Sequence, residues 1–288
     1  LRRFILGLAK KLLLSGGCAI LVDAAFSAGE ALDARMAWLG AIAYSLQLYF
    51  DFSGYSDMAV GLGAMLGFAC PENFNYPYAA TSITDFWRRW HITLSSWFRD
   101  YLYIPLGGSR RGKWRAAFNK AVVFVLCGLW HGANMTFVLW GAWHALLSAL
   151  ESLKVLDVAR WRKTAVGRVI SRVYTLLAVC LGFAMFRAES VSQGFEIIGA
   201  MFTGWDFTIA GDLLLARSVD SYTLATLVIS AVLSLPVLRK MRDFAKRSGE
   251  RVERRLELAS YFGCLALVVV CVSALARGGF TPFIYFQF

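Results

Sequence analysis

Charge is scarce in this sequence. Asp, Glu, Lys and Arg make up 17% of its 288 residues, and they fall in blocks separated by long apolar stretches. Paired cysteines are lacking too. Cys18, Cys70, Cys127, Cys180, Cys264 and Cys271 form no CxxC pair and no secreted-domain framework, so they read as small hydrophobes, most of them inside apolar runs. Nothing resembles a cleavable signal, an internal repeat or a low-complexity tract. The chain opens Leu-Arg-Arg without an initiator Met, which suggests a truncated sequence. Apolar surface, by contrast, is abundant: 58% of residues are hydrophobic and 15% aromatic, against about 45–50% apolar in a soluble domain. That composition indicates a membrane protein. A net charge of +11 invites a nucleic-acid partner. The basic residues, however, occupy short blocks between apolar stretches, as in the cytoplasmic loops of membrane proteins, which argues against nucleic acid.

A span needs about 20 apolar residues. Segment 4–22 qualifies as a short span or an interfacial helix, with Lys10 and Lys11 inside it. Segment 36–69 is interrupted by Asp51-Phe-Ser-Gly-Tyr-Ser-Asp57 and reads as two short helices or one long helix broken at Gly54. Residues 71–81 read as a loop. Residues 81–103 predict an amphipathic interfacial helix, with Trp87, His91, Leu94 and Phe98 on one face and an Asp85–Arg89 pair at i, i+4. A basic loop at 107–120 holds Arg110, Arg111 and Lys113; it serves topology, or meets an acidic carrier or lipid headgroups. The apolar run 121–150 has basic loops at both ends, so either it returns as a broken hairpin or one of those loops violates the positive-inside rule; the glycines around His131 favour a break at membrane depth. Spans follow at 169–186, 221–238 and 259–276. The positive-inside rule puts the basic blocks 107–120, 151–172 and 239–255 in the cytoplasm and the mixed 187–217 segment outside.

Histidine is the rarest source of chemistry here: His91, His131 and His144 are the only three. An ionisable residue inside a membrane segment is costly and is a functional candidate by default. His131 sits in Gly128-Leu-Trp-His-Gly-Ala-Asn134, where glycines admit a close substrate and Asn134, at i+3, shares its face to orient a carbonyl or hydroxyl. The competing reading is a neutral histidine bonded to a neighbouring helix. His91 follows Arg88 and Arg89 and reads either as functional or as part of an aromatic belt. His144 reads as packing. Spacings of 40 and 13 residues match no common zinc pattern, so no metal is expected. Asp51 and Asp57 read as capping broken helix ends or pairing with other charges, or as a cation or proton site of a transporter.

Several motifs then follow in order: Tyr49-Phe-Asp-Phe-Ser-Gly-Tyr-Ser-Asp57, Glu72-Asn-Phe-Asn75, Asp85-Phe-Trp-Arg-Arg-Trp-His-Ile92, Arg99-Asp-Tyr-Leu-Tyr-Ile-Pro-Leu-Gly-Gly108, the segment around His131, and Pro282-Phe-Ile-Tyr-Phe-Gln-Phe288. Over essentially its whole length the chain resembles the membrane-bound O-acyltransferase (MBOAT) superfamily, in its bacterial alginate O-acetyltransferase, AlgI-like branch. The resemblance implies an all-α polytopic fold around a transmembrane tunnel, with residues 1–288 as one acyltransferase domain and further membrane helices ahead of Leu1. It implies His131 as the essential residue and His91 as the second, with Asn134, Trp130, Arg88, Arg89 and Asp51 as supporting residues. His131, neutral in an apolar tunnel, would act as base or carry the acyl group, and Asn134 or His91 would donate to the oxyanion. No resident cofactor is implied. The donor would be an acyl thioester, acetyl-CoA or an acyl carrier, and the acceptor an exported polysaccharide. The expected setting is the bacterial inner membrane, beside a periplasmic SGNH-type acetyltransferase.

Overall fold

The computed structural model describes residues 1–277, 283 and 284, and among them every regular element is helical. Helix α1 is Arg2–Phe26, with a π-helical turn at Lys10–Ser15. Helix α2 is Ala34–Met65. The short helices α3, Ile83–Trp87, and α4, Ile92–Phe98, follow, and a further π turn spans Arg99–Tyr103. Then come α5, Lys113–His131; α6, Met135–Ser152; α7, Val158–Trp161; and α8, Ala165–Arg187. The last helices are α9, Val191–Thr203; α10, Ile209–Ser218; α11, Ser221–Leu233; α12, Val237–Ser248; and α13, Glu250–Ala276. Helices α1, α8 and α13 are each long and apolar enough to cross a membrane, and α10 with α11 pass the same test together across a 73° bend. The protein is an all-α membrane protein.

The chain divides into two compact units. One holds Leu1–Leu21, Leu46–Glu72 and the described part of Arg217–Gln287. Here α1 packs on α13 through Ala9, Leu12 and the fully buried Cys271. The expected break of α2 at Gly54 is absent. Gly54 serves a close approach instead: a Cβ there would lie 2.8 Å from the carbonyl oxygen of Gly7, and one on Gly7 would lie 2.6 Å from that of Gly54. Of the two structural roles expected for Asp51 and Asp57, capping is absent and pairing is present. Asp51 is buried and takes the Nζ of buried Lys11, while Asp57 accepts from Lys10 Nζ at 2.6 Å and Arg3 Nε at 3.0 Å. Adjacent α-helical residues point 100° apart; the π turn coincides with the two lysines that both reach α2. Of the aromatic tail, Phe283 and Ile284 are described: Ile284 N–H donates to Asp51 Oδ2 at 2.9 Å, and Phe283 lies under Lys11. Pro282 and residues 285–288 lie outside the described residues.

The second unit holds Val22–Ser45 and Asn73–Ala216. Its centre is the α5–α6 hairpin. The expected hairpin is present, and its break falls at 132–134. Two glycines let its arms touch: a Cβ on Gly128 would lie 2.4 Å from Phe137 O, and one on Gly141 2.4 Å from Phe124 O. Nineteen residues in α5 and eighteen in α6 give each arm about 27–29 Å. Helix α6 packs on α8, where Trp143 Nε1 donates to Ala178 O at 2.8 Å.

Three segments differ from the sequence reading. Residues 81–103 are not one helix: the chain breaks at 88–91, where His91 takes a left-handed φ of 44°. The 221–238 span ends at Leu233, before a turn that carries Pro236 into α12. Residues 187–217 and 239–255 hold helices rather than loops.

Candidate active site

His131 ends α5. The helix stops there because Gly132 adopts φ 151°, a conformation open to glycine, and because a Cβ at that position would meet the Phe137 ring at 2.9 Å. Asn134 then starts α6 by capping it: its Oδ1 accepts from Thr136 N at 3.1 Å. His131 is 8% exposed, and its ring sits among those of Trp130, Trp140 and Phe186, with centroids 5.0–5.3 Å away. Beside it lies a cavity of about 330 Å³, walled by the 132–134 turn, Phe137 and residues 186–189 at the end of α8.

Asn134 does not share a helical face with His131, because no helix joins them. Its Nδ2 donates to Glu189 O at 2.9 Å, which ties the turn to the chain after α8. It lines the cavity and fixes the turn there. Trp130 is half exposed and packs on the His131 ring.

His91 is placed by a residue that the helical spacing did not single out. Asn73 Oδ1 accepts from Thr93 N at 3.2 Å and from Thr93 Oγ1 at 3.0 Å, and lies 3.1 Å from His91 Nδ1. The backbone donor fixes that atom as the oxygen, so a hydrogen bond there requires the His91 proton on Nδ1. Asn73 O also accepts from Ile92 N at 3.0 Å, which anchors the break. The signal for Asn73 was its place in Glu72-Asn-Phe-Asn75.

Arg89 makes the expected pair with Asp85, at 2.9 Å. Arg88 is exposed and does not line the cavity beside His131. Asp51 belongs to the other unit, where Lys11, Ser15 and Ile284 surround it. His144 is fully buried, and Trp87 Nε1 lies 3.4 Å from its Nδ1. Trp140 stands between His131 and His144, with centroids 5.3 and 5.4 Å away, so His144 supports the site through packed rings.

Glu151, near the end of α6, is a second residue that the sequence reading missed. Its carboxylate accepts from Ile83 N at 2.7 Å, Thr84 N at 3.0 Å and Thr84 Oγ1 at 2.8 Å. It thus satisfies the free N–H groups that open α3, the helix leading to His91. A second cavity of about 180 Å³ lies between Trp87, Phe98, Phe124 and Cys127, with Arg99 and Lys120 also in its wall. Among the described residues, no three His, Cys, Asp or Glu side chains are grouped to hold a metal ion.

Residues 1–191 match the membrane-bound O-acyltransferase family, MBOAT. The chain belongs to this family. It is 40% identical over 300 residues to the probable alginate O-acetylase AlgI of Pseudomonas putida, an alignment covering 99% of this chain and 60% of that protein. It is 38% identical over 198 residues to the peptidoglycan O-acetyltransferase of Helicobacter pylori, covering 69% of this chain and 37% of the relative. Over 161 residues it is 36% identical to the teichoic acid D-alanyltransferase of Bacillus subtilis, covering 51% and 40%. This MBOAT chain spans about 60% of the length of the first of these relatives.

Proposed function

We propose that the protein containing this chain moves an acetyl or other acyl group from a cytoplasmic thioester donor across the inner membrane, for O-acetylation of an exported polysaccharide such as alginate. One observation carries the reading: a buried histidine at the turn of a helical hairpin faces a cavity. A sugar hydroxyl is a poor nucleophile until a base takes its proton. In the direct route, His131 takes that proton, the hydroxyl oxygen bonds to the thioester carbon, the C–S bond breaks, and the proton returns to the leaving thiolate. In the stepwise route the imidazole takes the acyl group first and then yields it to the acceptor. His91 is the second histidine suited to stabilise the charge that develops.

The second cavity is the proposed passage for the donor. It lies in the unit that holds the basic blocks 107–120 and 151–172, and its wall includes Lys120, which donates to Ser152 Oγ at 2.7 Å, and Arg99, which pairs with Asp100. An acyl carrier or acetyl-CoA would bring the thioester; in the stepwise route a periplasmic SGNH-type acetyltransferase would take the acyl group from His131 and complete transfer to the polymer. The H. pylori and B. subtilis relatives favour one alternative, acyl or D-alanyl transfer to a different envelope polymer. A transporter reading loses its basis, since Asp51 and Asp57 are already paired with Lys11, Lys10 and Arg3.

The test is His131→Ala in the producing cell, with mass spectrometry of surface polymers. Loss of O-acyl groups from one polymer, with the variant still in the membrane at normal level, is expected. Retained acylation would sink the assignment. The polymer that loses its ester identifies the acceptor.

A further inference from the structure

We infer that α12 is an interfacial helix that binds an anionic lipid surface. At 100° per residue, Val237, Leu238, Met241, Phe244 and Ala245 fall on one arc of this helix. Lys240 and Arg247 border one side of that arc, and Arg242 borders the other. Of the apolar arc only Ala245 is buried; Leu238 is 56% and Phe244 69% exposed. A merely solvated helix has no use for an apolar edge of that size, and a core helix would bury it. Apolar and cationic rows side by side on one short helix match a leaflet boundary, where acyl chains and phosphates lie a few ångströms apart.

Connectivity holds the helix at that depth. Gly249 alone, at φ 104°, separates α12 from α13, which is long and apolar enough to cross the membrane. The polar opening of α13, residues 250–258, is nine residues long, so the end of α12 lies within about 14 Å of the apolar part of α13. Charge selects the lipid: residues 239–255 hold eight Lys or Arg against three Asp or Glu. The positive-inside bias puts this block at the cytoplasmic leaflet, where anionic lipids concentrate. The inference stands apart from the transferase reading, because none of these residues lines either cavity.

The test places the photoreactive p-benzoylphenylalanine at Phe244, and separately at Lys246 on the opposite face, in the full-length protein. Each protein is reconstituted into phosphatidylcholine vesicles with or without phosphatidylglycerol, and adducts are read by mass spectrometry. The probe at 244 is expected to yield phospholipid adducts at least about five-fold more often than the probe at 246. The phosphatidylglycerol share of those adducts should exceed its share of the vesicle. It should fall several-fold in Lys240→Gln/Arg247→Gln, since each cation at an anionic surface counts for roughly five-fold in affinity. High salt should produce the same fall in the unmutated helix, which separates charge from misfolding. Adducts at 244 to protein instead of lipid, or to neither, would overturn the inference, as would no preference for phosphatidylglycerol.

Discussion

Asn73 sets the conformation of His91 through one oxygen with three neighbours. Replacing it with Leu leaves Thr93 N and Thr93 Oγ1 without that acceptor and removes one hold on the His91 ring, while the backbone bond from Ile92 N to residue 73 remains. Polymer acylation is expected to drop by about 100-fold, the scale of a 1 Å misplacement of a reacting group, while expression holds; unchanged acylation would deny His91 a positioned role. The Lys11–Asp51 pair is a different case, since both side chains are at most 3% exposed. Asp51→Leu alone strands a buried ammonium and is expected to cost about 3–5 kcal/mol, with Lys11→Met/Asp51→Leu recovering most of it. Thermal unfolding in detergent, monitored by aggregation, ranks the three proteins. A double variant as unstable as the single one would show that the charges themselves are needed.

The elements meet through small residues and caps. Gly128 lets α5 touch α6 where a Cβ has no room. Gly128→Val must splay the hairpin that carries His131, and it should cost several kcal/mol of overpacking and abolish acylation. Glu151 joins α6 to α3 by three hydrogen bonds. Glu151→Ala strands those donors at about 1–3 kcal/mol each where they are buried. Acylation should fall with little change in the apparent affinity for donor, and Glu151→Gln should restore part of it through its one remaining acceptor oxygen. No difference between Ala and Gln would remove Glu151 as a positioning residue. The sequence favoured the hairpin, because a run with basic blocks at both ends returns to the side it left unless one block violates the positive-inside rule. The α3–α4 break was hidden, because Trp87, His91, Leu94 and Phe98 keep helical spacing across residues that are not helical. Asn73, eighteen positions from His91, imposes that break, and periodicity reads only local order.

Orientation is a property of the whole molecule. With the basic blocks inside, a cysteine introduced at Lys163 or Arg247 should react with a membrane-impermeant maleimide only after permeabilisation, and one at Asp206 should react in intact cells. Labelling of Arg247→Cys in intact cells would invert the scheme.

By itself the sequence determined the membrane class, the helical content, the family and His131 as the residue to watch. Those follow from apolar composition, charge blocks and ordered motifs, all of which are written along one dimension. Tertiary structure decided the rest. It made Gly54 a contact instead of a break, gave Asp51 to Lys11, tied Asn134 to Glu189, and supplied Asn73 and Glu151 as the anchors of the His91 segment. Each of these is a pairing between residues distant in sequence, set by which buried donors and acceptors the packed helices bring together, since a buried polar group must find a partner wherever the fold puts one.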